Sequence, residues 1–171
     1  MLLQNGIRGL NMVINIFGDY YIQADNYCFM LATDKGPRKW PNGTISNYYD
    51  KIKFCRSLSE LNTSFKKIVQ ADVPEFDEIA AIDDEINKMC RNNDFNECID
   101  IDGEWTITDC GLCKSLSHNG KTVAYGRSNH LIYEYVCKII RNSNCDNLGD
   151  LLVELNKVKE LVSSLFQKSL V

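Results

Sequence analysis

Two cysteines three residues apart, Cys110 and Cys113, are the first residues of this chain whose spacing could support chemistry. A C-x-x-C pair can bind zinc or exchange thiols with a disulfide. Zinc would need two more ligands, and the sequence has no second C-x-x-C and no H-x-x-x-H pair. The flanking alternation predicts a strand, on which side chains three positions apart face opposite sides. We therefore favour structural thiols, with zinc and redox use as alternatives, and expect neither a metal nor another cofactor.

The chain has eight cysteines in 171 residues, which fits either a secreted disulfide framework or a reduced protein with buried thiols. No secretory signal is recognisable at the N-terminus, and no apolar run approaches the roughly 18 residues of a membrane span. Four cysteines occupy positions that the apolar pattern fills with core residues, namely Cys28, Cys55, Cys90 and Cys137. We therefore expect buried thiols and a cytoplasmic location without membrane association.

Charge is distributed unevenly along the chain. Residues 72–109 contain thirteen acidic and two basic side chains, although the whole chain has a net charge of only −4. Five of the acidic residues form a candidate partner-binding patch: Asp77, Glu78, Asp83, Asp84 and Glu85. Such a patch could attract a basic surface of another protein, and the alternative is an ordinary solvated helix face.

A basic segment with an aromatic residue lies in the first half, at Lys35, Arg38, Lys39 and Trp40. Cations next to an aromatic ring are typical of contacts to single-stranded nucleic acid, where bases stack and phosphates pair with the cations. This segment is the candidate nucleic-acid-binding site.

Catalysis has little support in the sequence. The two histidines have no recognisable nucleophile motif nearby. Neither GDYYIQAD at 18–25 nor GEWTITDC at 103–110 has the glycine spacing of a nucleotide-binding loop. We therefore do not expect an enzyme.

An internal repeat predicts the elements that carry these residues. Residues 14–31 match residues 99–116 at one constant offset without a gap, and a second offset relates residues 54–68 to 125–139. The sequence thus predicts two tandem units of about 75–80 residues each. Their bounds are 12–92 and 97–168, after an N-terminal extension at 1–11.

Each unit is predicted to be a small antiparallel sheet followed by two helices, an α+β fold in a pseudo-twofold arrangement. In the first unit, three alternating strands at 13–31 precede a long exposed connection at 34–47 and a fourth strand at 48–54. Ser57 and Glu60 form a capping box that begins a helix, and Pro74 lies in the first turn of the next. In the second unit, Asp146 is predicted to cap a helix whose broad leucine stripe packs on residues 76–90.

The order I-x-I-x-G-x-Y/W-x-I, an aromatic strand, an aromatic return and two helices resembles a family of small phage and prophage accessory proteins. The likeness depends on Ile14, Ile16, Gly18, Tyr20, Ile22, Asp25, Tyr27, Leu31, Tyr48, Tyr49, Ser57, Leu58 and Leu61. The resemblance implies a protein that acts inside a bacterial host by binding and disabling a host protein. Family members are usually single units, so the duplication is a departure.

The leading functional hypothesis is therefore an inhibitor of a host protein, of the anti-defence or anti-CRISPR type. A nucleic-acid-binding regulator that uses the basic segment is the alternative. A third hypothesis is a protein that sequesters a small nucleotide signal between its two units.

Overall fold

The computed structural model describes residues 10–92, 99–101, 105–109, 111, 113–126 and 131–169. In this part of the chain the fold is mixed α+β, as the sequence predicts. The elements are β1 (Met12–Phe17), β2 (Tyr20–Ala24), β3 (Phe29–Lys39), β4 (Ile45–Cys55), α1 (Leu58–Val69), α2 (Pro74–Asn92), β5 (Ile99–Ile101), β6 (Trp105–Asp109), β7 (Lys114–His118), β8 (Lys121–Gly126), α3 (Leu131–Arg141) and α4 (Leu148–Ser169). Four strands and two helices therefore occur twice in the same order.

The first sheet is an antiparallel meander with the strand order β1-β2-β3-β4. Alternation along β1 and β2 buries Ile14 and Ile22 completely, and these two residues pair across the strands. Gly18 has a φ of 55°, which the tight turn between the strands requires and which glycine adopts without steric cost. The predicted three-stranded meander is confirmed.

The predicted long connection at 34–47 is wrong. β3 continues to Lys39 and β4 begins at Ile45, so the two strands form a long hairpin. Prolines and glycines suggested a loop, but Pro37 lies next to a register shift between Asp34 and Pro37, where the ladder is already irregular. A residue without an N–H group is tolerated at such a bulge.

Helix α1 begins as its capping box predicts. The Ser57 hydroxyl accepts a hydrogen bond from the Glu60 amide at 3.1 Å. The Glu60 carboxylate accepts one from the Arg56 amide at 2.9 Å, one residue before the cap. Both ends of the box thus satisfy N–H groups that the helix cannot pair internally.

The buried face of α1 packs on the first sheet through Leu58, Leu61 and Phe65. The Phe65 ring contacts Tyr20 of β2 and Phe76 of α2 edge to face, with centroid distances of 6.0 and 5.8 Å. Ile68 follows the same apolar spacing along the helix but lies outside this buried face, with 44% of its surface exposed.

The second sheet has the strand order β5-β6-β7-β8 and is also an antiparallel meander. Asn119 and Gly120 connect β7 to β8 with φ values of 51° and 77°. Two consecutive positive φ values are typical of a type I′ turn, the two-residue hairpin connection that the segment His118-Asn119-Gly120 predicts.

Helix α4 is capped by Asn147 and not, as predicted, by Asp146. The Asn147 side chain accepts from the Asp150 amide at 2.9 Å, and the Asp150 carboxylate accepts from the Asp146 amide at 3.1 Å. Asparagine and aspartate are comparable caps, so the sequence alone could not decide between neighbours.

The chain divides into two compact units that do not follow the sequence repeat. One contains Met1–Ala81 and Ile140–Glu154, and the other contains Ile82–Ile139 and Leu155–Val171. In the second of these, α4 lies against α2, since Lys159 pairs with Glu85 and the Ser163 hydroxyl approaches the Met89 sulfur at 3.5 Å. No helix in the described part of the chain is both long and apolar enough to cross a bilayer.

Candidate nucleic-acid interface

A turn with several local hydrogen bonds closes the β3–β4 hairpin. The Trp40 amide donates to the Thr44 carbonyl at 2.8 Å, and the Gly43 amide donates to the Trp40 carbonyl at 2.9 Å. The Asn42 side chain accepts from the Thr44 amide at 3.0 Å, which is a local bond typical of asparagine in turns. Gly43 has a φ of 86°, where a side chain would be strained. Asn42-Gly43 therefore fixes the hairpin tip.

The bulge below the tip is fixed by Asp34. Its carboxylate accepts from the Gly36 amide at 2.8 Å and from the Asn47 side chain on the opposite strand at 3.0 Å. These bonds link the two strands where the regular ladder is interrupted. The outer half of the hairpin is consequently held in a defined position although it contains Pro37.

Arg38, predicted as a nucleic-acid contact, is stacked against two aromatic rings. The centre of its guanidinium group lies 5.2 Å from the Trp40 ring centroid and 5.0 Å from that of Tyr48, within the range of cation–π attraction. The indole N–H of Trp40 donates to the Ser46 hydroxyl at 2.7 Å, which fixes the ring. The structure thus brings two predicted site residues, Arg38 and Trp40, together and adds Tyr48.

The hairpin also concentrates exposed positive charge. Residues 34–56 contain six basic and two acidic side chains. All six cations are exposed: Lys35, Arg38, Lys39, Lys51, Lys53 and Arg56. None of the six forms an ion pair with an acidic side chain of the described residues. The hairpin therefore presents unneutralised cations next to aromatic rings, and we call this set the basic hairpin surface.

A cavity of about 410 Å³ borders this surface in the same compact unit. It is lined by Leu10, Gln23, Trp40, Asn47, Tyr48, Tyr49, Asp50, Lys51 and Phe54. A second cavity of about 540 Å³ shares Leu10, Asn47 and Tyr49 with it, so the two are adjacent. Burial raises the pKa of the Tyr49 hydroxyl above its usual value.

The predicted acidic patch is not a single exposed surface. Asp83 is only 1% exposed and accepts a hydrogen bond from the Tyr133 hydroxyl at 2.9 Å, so its assignment to an exposed partner-binding patch is wrong. Along α2, Asp83 follows the spacing of the buried apolar residues Ile79 and Ile86, and its burial agrees with this position. Burial and the neighbouring Asp83 carboxylate raise the pKa of Tyr133 far above its usual value.

Two further acidic residues of the predicted patch are engaged within the protein. Asp77 accepts from Lys66 at 2.7 Å and from the Asn62 side chain at 3.0 Å, and the Lys66 bond is the main reason why the Asp77 pKa is lowered. Glu85 pairs with Lys159. Glu78 and Asp84 are exposed. The acidic residues therefore serve partly as intramolecular partners.

Cysteine chemistry has little support among the described residues. Cys55, Cys90 and Cys137 are buried and form no disulfide, as predicted, whereas Cys28 is only half-buried. Burial raises the pKa of Cys55 to about 11 and that of Cys90 to about 12, so the reactive thiolate is scarce at neutral pH. Cys110 of the C-x-x-C pair lies outside the described residues. Within the described part of the chain, no group of three or more acidic, histidine or cysteine side chains is placed to hold a metal ion.

Several residues of the candidate interface were not identified from the sequence, chiefly Gln23, Lys51, Lys53 and Phe54. A register shift interrupts β4, so Lys51 and Phe54 lie on the same face of the sheet although they are three residues apart. Residues on one face of a regular strand are an even number of positions apart, and the sequence therefore gives no sign that these two share a face. Gln23 had no detectable signal, since a polar residue between Ile22 and Ala24 reads as an exposed strand position.

Models of known protein families, curated proteins and solved structures were compared with this chain, and none of them matches it.

Proposed function

We propose that this protein binds single-stranded nucleic acid through the basic hairpin surface. The observation that carries the proposal is the stack of Arg38 on Trp40 and Tyr48, on a hairpin with six exposed cations. Single-strand-binding surfaces combine aromatic platforms for bases with a positively charged path for the phosphates. Because the whole chain has a net charge of −4, a nucleic acid is expected to bind at this local basic surface and not elsewhere on the protein.

Binding of a fluorescein-labelled oligonucleotide of about 15 nucleotides, measured by anisotropy, tests this function. We expect the triple variant Lys35→Gln, Arg38→Gln, Lys39→Gln to bind about tenfold or more weakly, and Trp40→Ala to lose a similar factor through stacking. Between about 50 and 200 mM salt, the logarithm of the binding constant falls linearly with the logarithm of the salt concentration. We expect this slope to be less steep by about two to three for the triple variant than for the unmodified protein.

The matched control carries the same charge change at exposed lysines outside the hairpin: Lys67→Gln, Lys88→Gln, Lys121→Gln. This control should bind like the unmodified protein. Equal weakening by both triple variants would show a general charge effect and contradict a hairpin site.

Inhibition of a host protein is the second candidate function, and the edge strand β4 favours it. Ile45 and Ile52 are 70% and 40% exposed on this strand. An edge strand with exposed apolar side chains can pair with a strand of another protein. The resemblance to phage accessory proteins supports the same class of function.

Affinity capture from a bacterial lysate tests this second candidate. We expect the unmodified protein to retain one dominant host protein at constant stoichiometry, and Ile45→Lys with Ile52→Lys to lose it. Val153→Lys, at a 54% exposed position on α4, is the control and should retain the partner. Capture of nucleic acid alone would contradict the inhibitor function.

We also propose that the two ββββαα segments derive from one ancestral unit by tandem duplication and are related by a pseudo-twofold axis. The repeated element order, the identical strand order of the two sheets and the two constant sequence offsets support this origin.

A further inference from the structure

The lining of the smaller of the two cavities includes a buried polar side chain that is unpaired among the described residues. Gln23 lines this cavity and is 0% exposed. Both its side-chain nitrogen and its side-chain oxygen are buried and have no hydrogen-bond partner among the described residues. Native proteins pair nearly all such atoms, because an unpaired buried donor or acceptor is costly. Gln23 thus holds one unpaired donor and one unpaired acceptor next to the cavity, and a base that enters it could pair with both.

The strand register places aromatic and cationic groups on the same face of the sheet as Gln23. Gln23 pairs with Met30, and Met30 pairs with Phe54, so the three form one cross-strand row. Lys51 pairs with Ala32 and Tyr49 with Asp34, which puts both on the face of Met30. Paired residues in neighbouring strands project from the same side of a sheet.

Phe54 and Tyr49 can provide the apolar contacts for a flat ring. Phe54 is 60% exposed, so its ring can accept a stacking partner. Tyr49 is held by an edge-to-face contact with Tyr21 at a centroid distance of 5.1 Å. Exposed aromatic rings of this kind stack on nucleobases.

The charges set the direction in which a nucleotide would enter. Lys51 is exposed at the rim and can pair with a phosphate, whereas Asp50, which also lines the cavity, would repel one. The buried and uncharged amide of Gln23 suits a base and not a phosphate. A nucleotide therefore fits with its base inward and its phosphate outward, near Lys51.

We propose that this cavity binds one adenine base of the bound strand and that Gln23 determines the specificity. Glutamine reads adenine through two hydrogen bonds, accepting from the exocyclic amine and donating to a ring nitrogen. The proposal deepens the proposed function and rests on it, because the base belongs to a nucleic-acid strand that is bound on the basic hairpin surface.

Anisotropy measurements with three oligonucleotides test the specificity. The probes are an oligothymidylate of about 15 nucleotides, the same strand with one central adenine, and the same strand with a central abasic site. We expect the adenine strand to bind about tenfold more tightly than the other two. Gln23→Met should abolish this preference, so that the adenine strand and oligothymidylate bind this variant with the same affinity. A missing preference in the unmodified protein, or a preference that survives in Gln23→Met, would overturn the proposal.

Two controls separate loss of recognition from loss of folding. Gln23→Met removes two unpaired polar atoms from a buried site, so its melting temperature should be equal to or above that of the unmodified protein. Phe54→Ala changes an exposed side chain and should fold normally, but it should weaken binding of the adenine strand about fivefold or more through lost stacking.

A titration with free adenosine monophosphate distinguishes failure of this inference from failure of the proposed function. Trp40 lines the cavity, so a bound base should change tryptophan fluorescence. If no oligonucleotide binds but adenosine monophosphate changes the fluorescence of the unmodified protein and not of Gln23→Met, the cavity recognises the base and the strand-binding function is wrong. If neither ligand binds, both proposals are wrong.

Discussion

Replacement of Phe65 by alanine is expected to lower the free energy of unfolding by about 3–5 kcal/mol, the usual cost of truncating a buried phenylalanine. Phe65 is fully buried, and its ring contacts one residue of β2 and one of α2. Three elements of the same compact unit therefore lose packing at once. Urea unfolding followed by circular dichroism, with linear extrapolation to zero denaturant, measures the change.

Ile68 on the same helix is the matched control. It is 44% exposed, and Ile68→Ala should cost less than about 1 kcal/mol. A similar loss for both variants would mean that the burial of Phe65 does not determine the effect, since alanine is the better helix former at both positions. A loss below about 1 kcal/mol for Phe65→Ala would contradict the described packing.

Replacement of Tyr133 by phenylalanine is expected to cost about 1.5–3 kcal/mol, the range for a hydrogen bond to a charged group. The variant leaves the ring in place and removes only the hydroxyl that donates to Asp83 at 2.9 Å. Because Asp83 is 1% exposed, water cannot readily replace the lost donor. Thermal and urea unfolding of the variant measure the loss.

Tyr125→Phe provides the control for this second change, since Tyr125 is 70% exposed and the same atom is removed in solvent. Its stability should stay within about 0.5 kcal/mol of the unmodified protein. Equal stability of Tyr133→Phe and the unmodified protein would show that the bond to Asp83 contributes nothing.

The sequence predicted the regular elements well where local chemistry was decisive. The capping pair Ser57 and Glu60, the Asn119-Gly120 turn and the alternation in β1 and β2 depend on neighbours within a few residues. Such signals survive folding because tertiary contacts do not compete with them.

The failures concern features that depend on partners distant in the chain. Pro37 suggested a loop, but Asp34 and Asn47 stabilise a bulge that accommodates it. Asp83 looked like part of an acidic surface until its partner Tyr133, fifty residues later, was known. The candidate site shows the same division. Arg38 and Trp40 were predicted from local composition, whereas the unpaired amide of Gln23 could be found only from coordinates.

The compact unit that contains the basic hairpin surface is discontinuous in sequence. Besides Met1–Ala81 it includes Ile140–Glu154, and the Arg141 guanidinium from this second segment lies 5.7 Å from the centroid of the Phe29 ring. Leu151 in the same segment is fully buried. During translation, the N-terminal sheet must therefore wait, with its partner segment missing, until more than fifty further residues have left the ribosome. The nascent chain is exposed to chaperones and proteases during this interval.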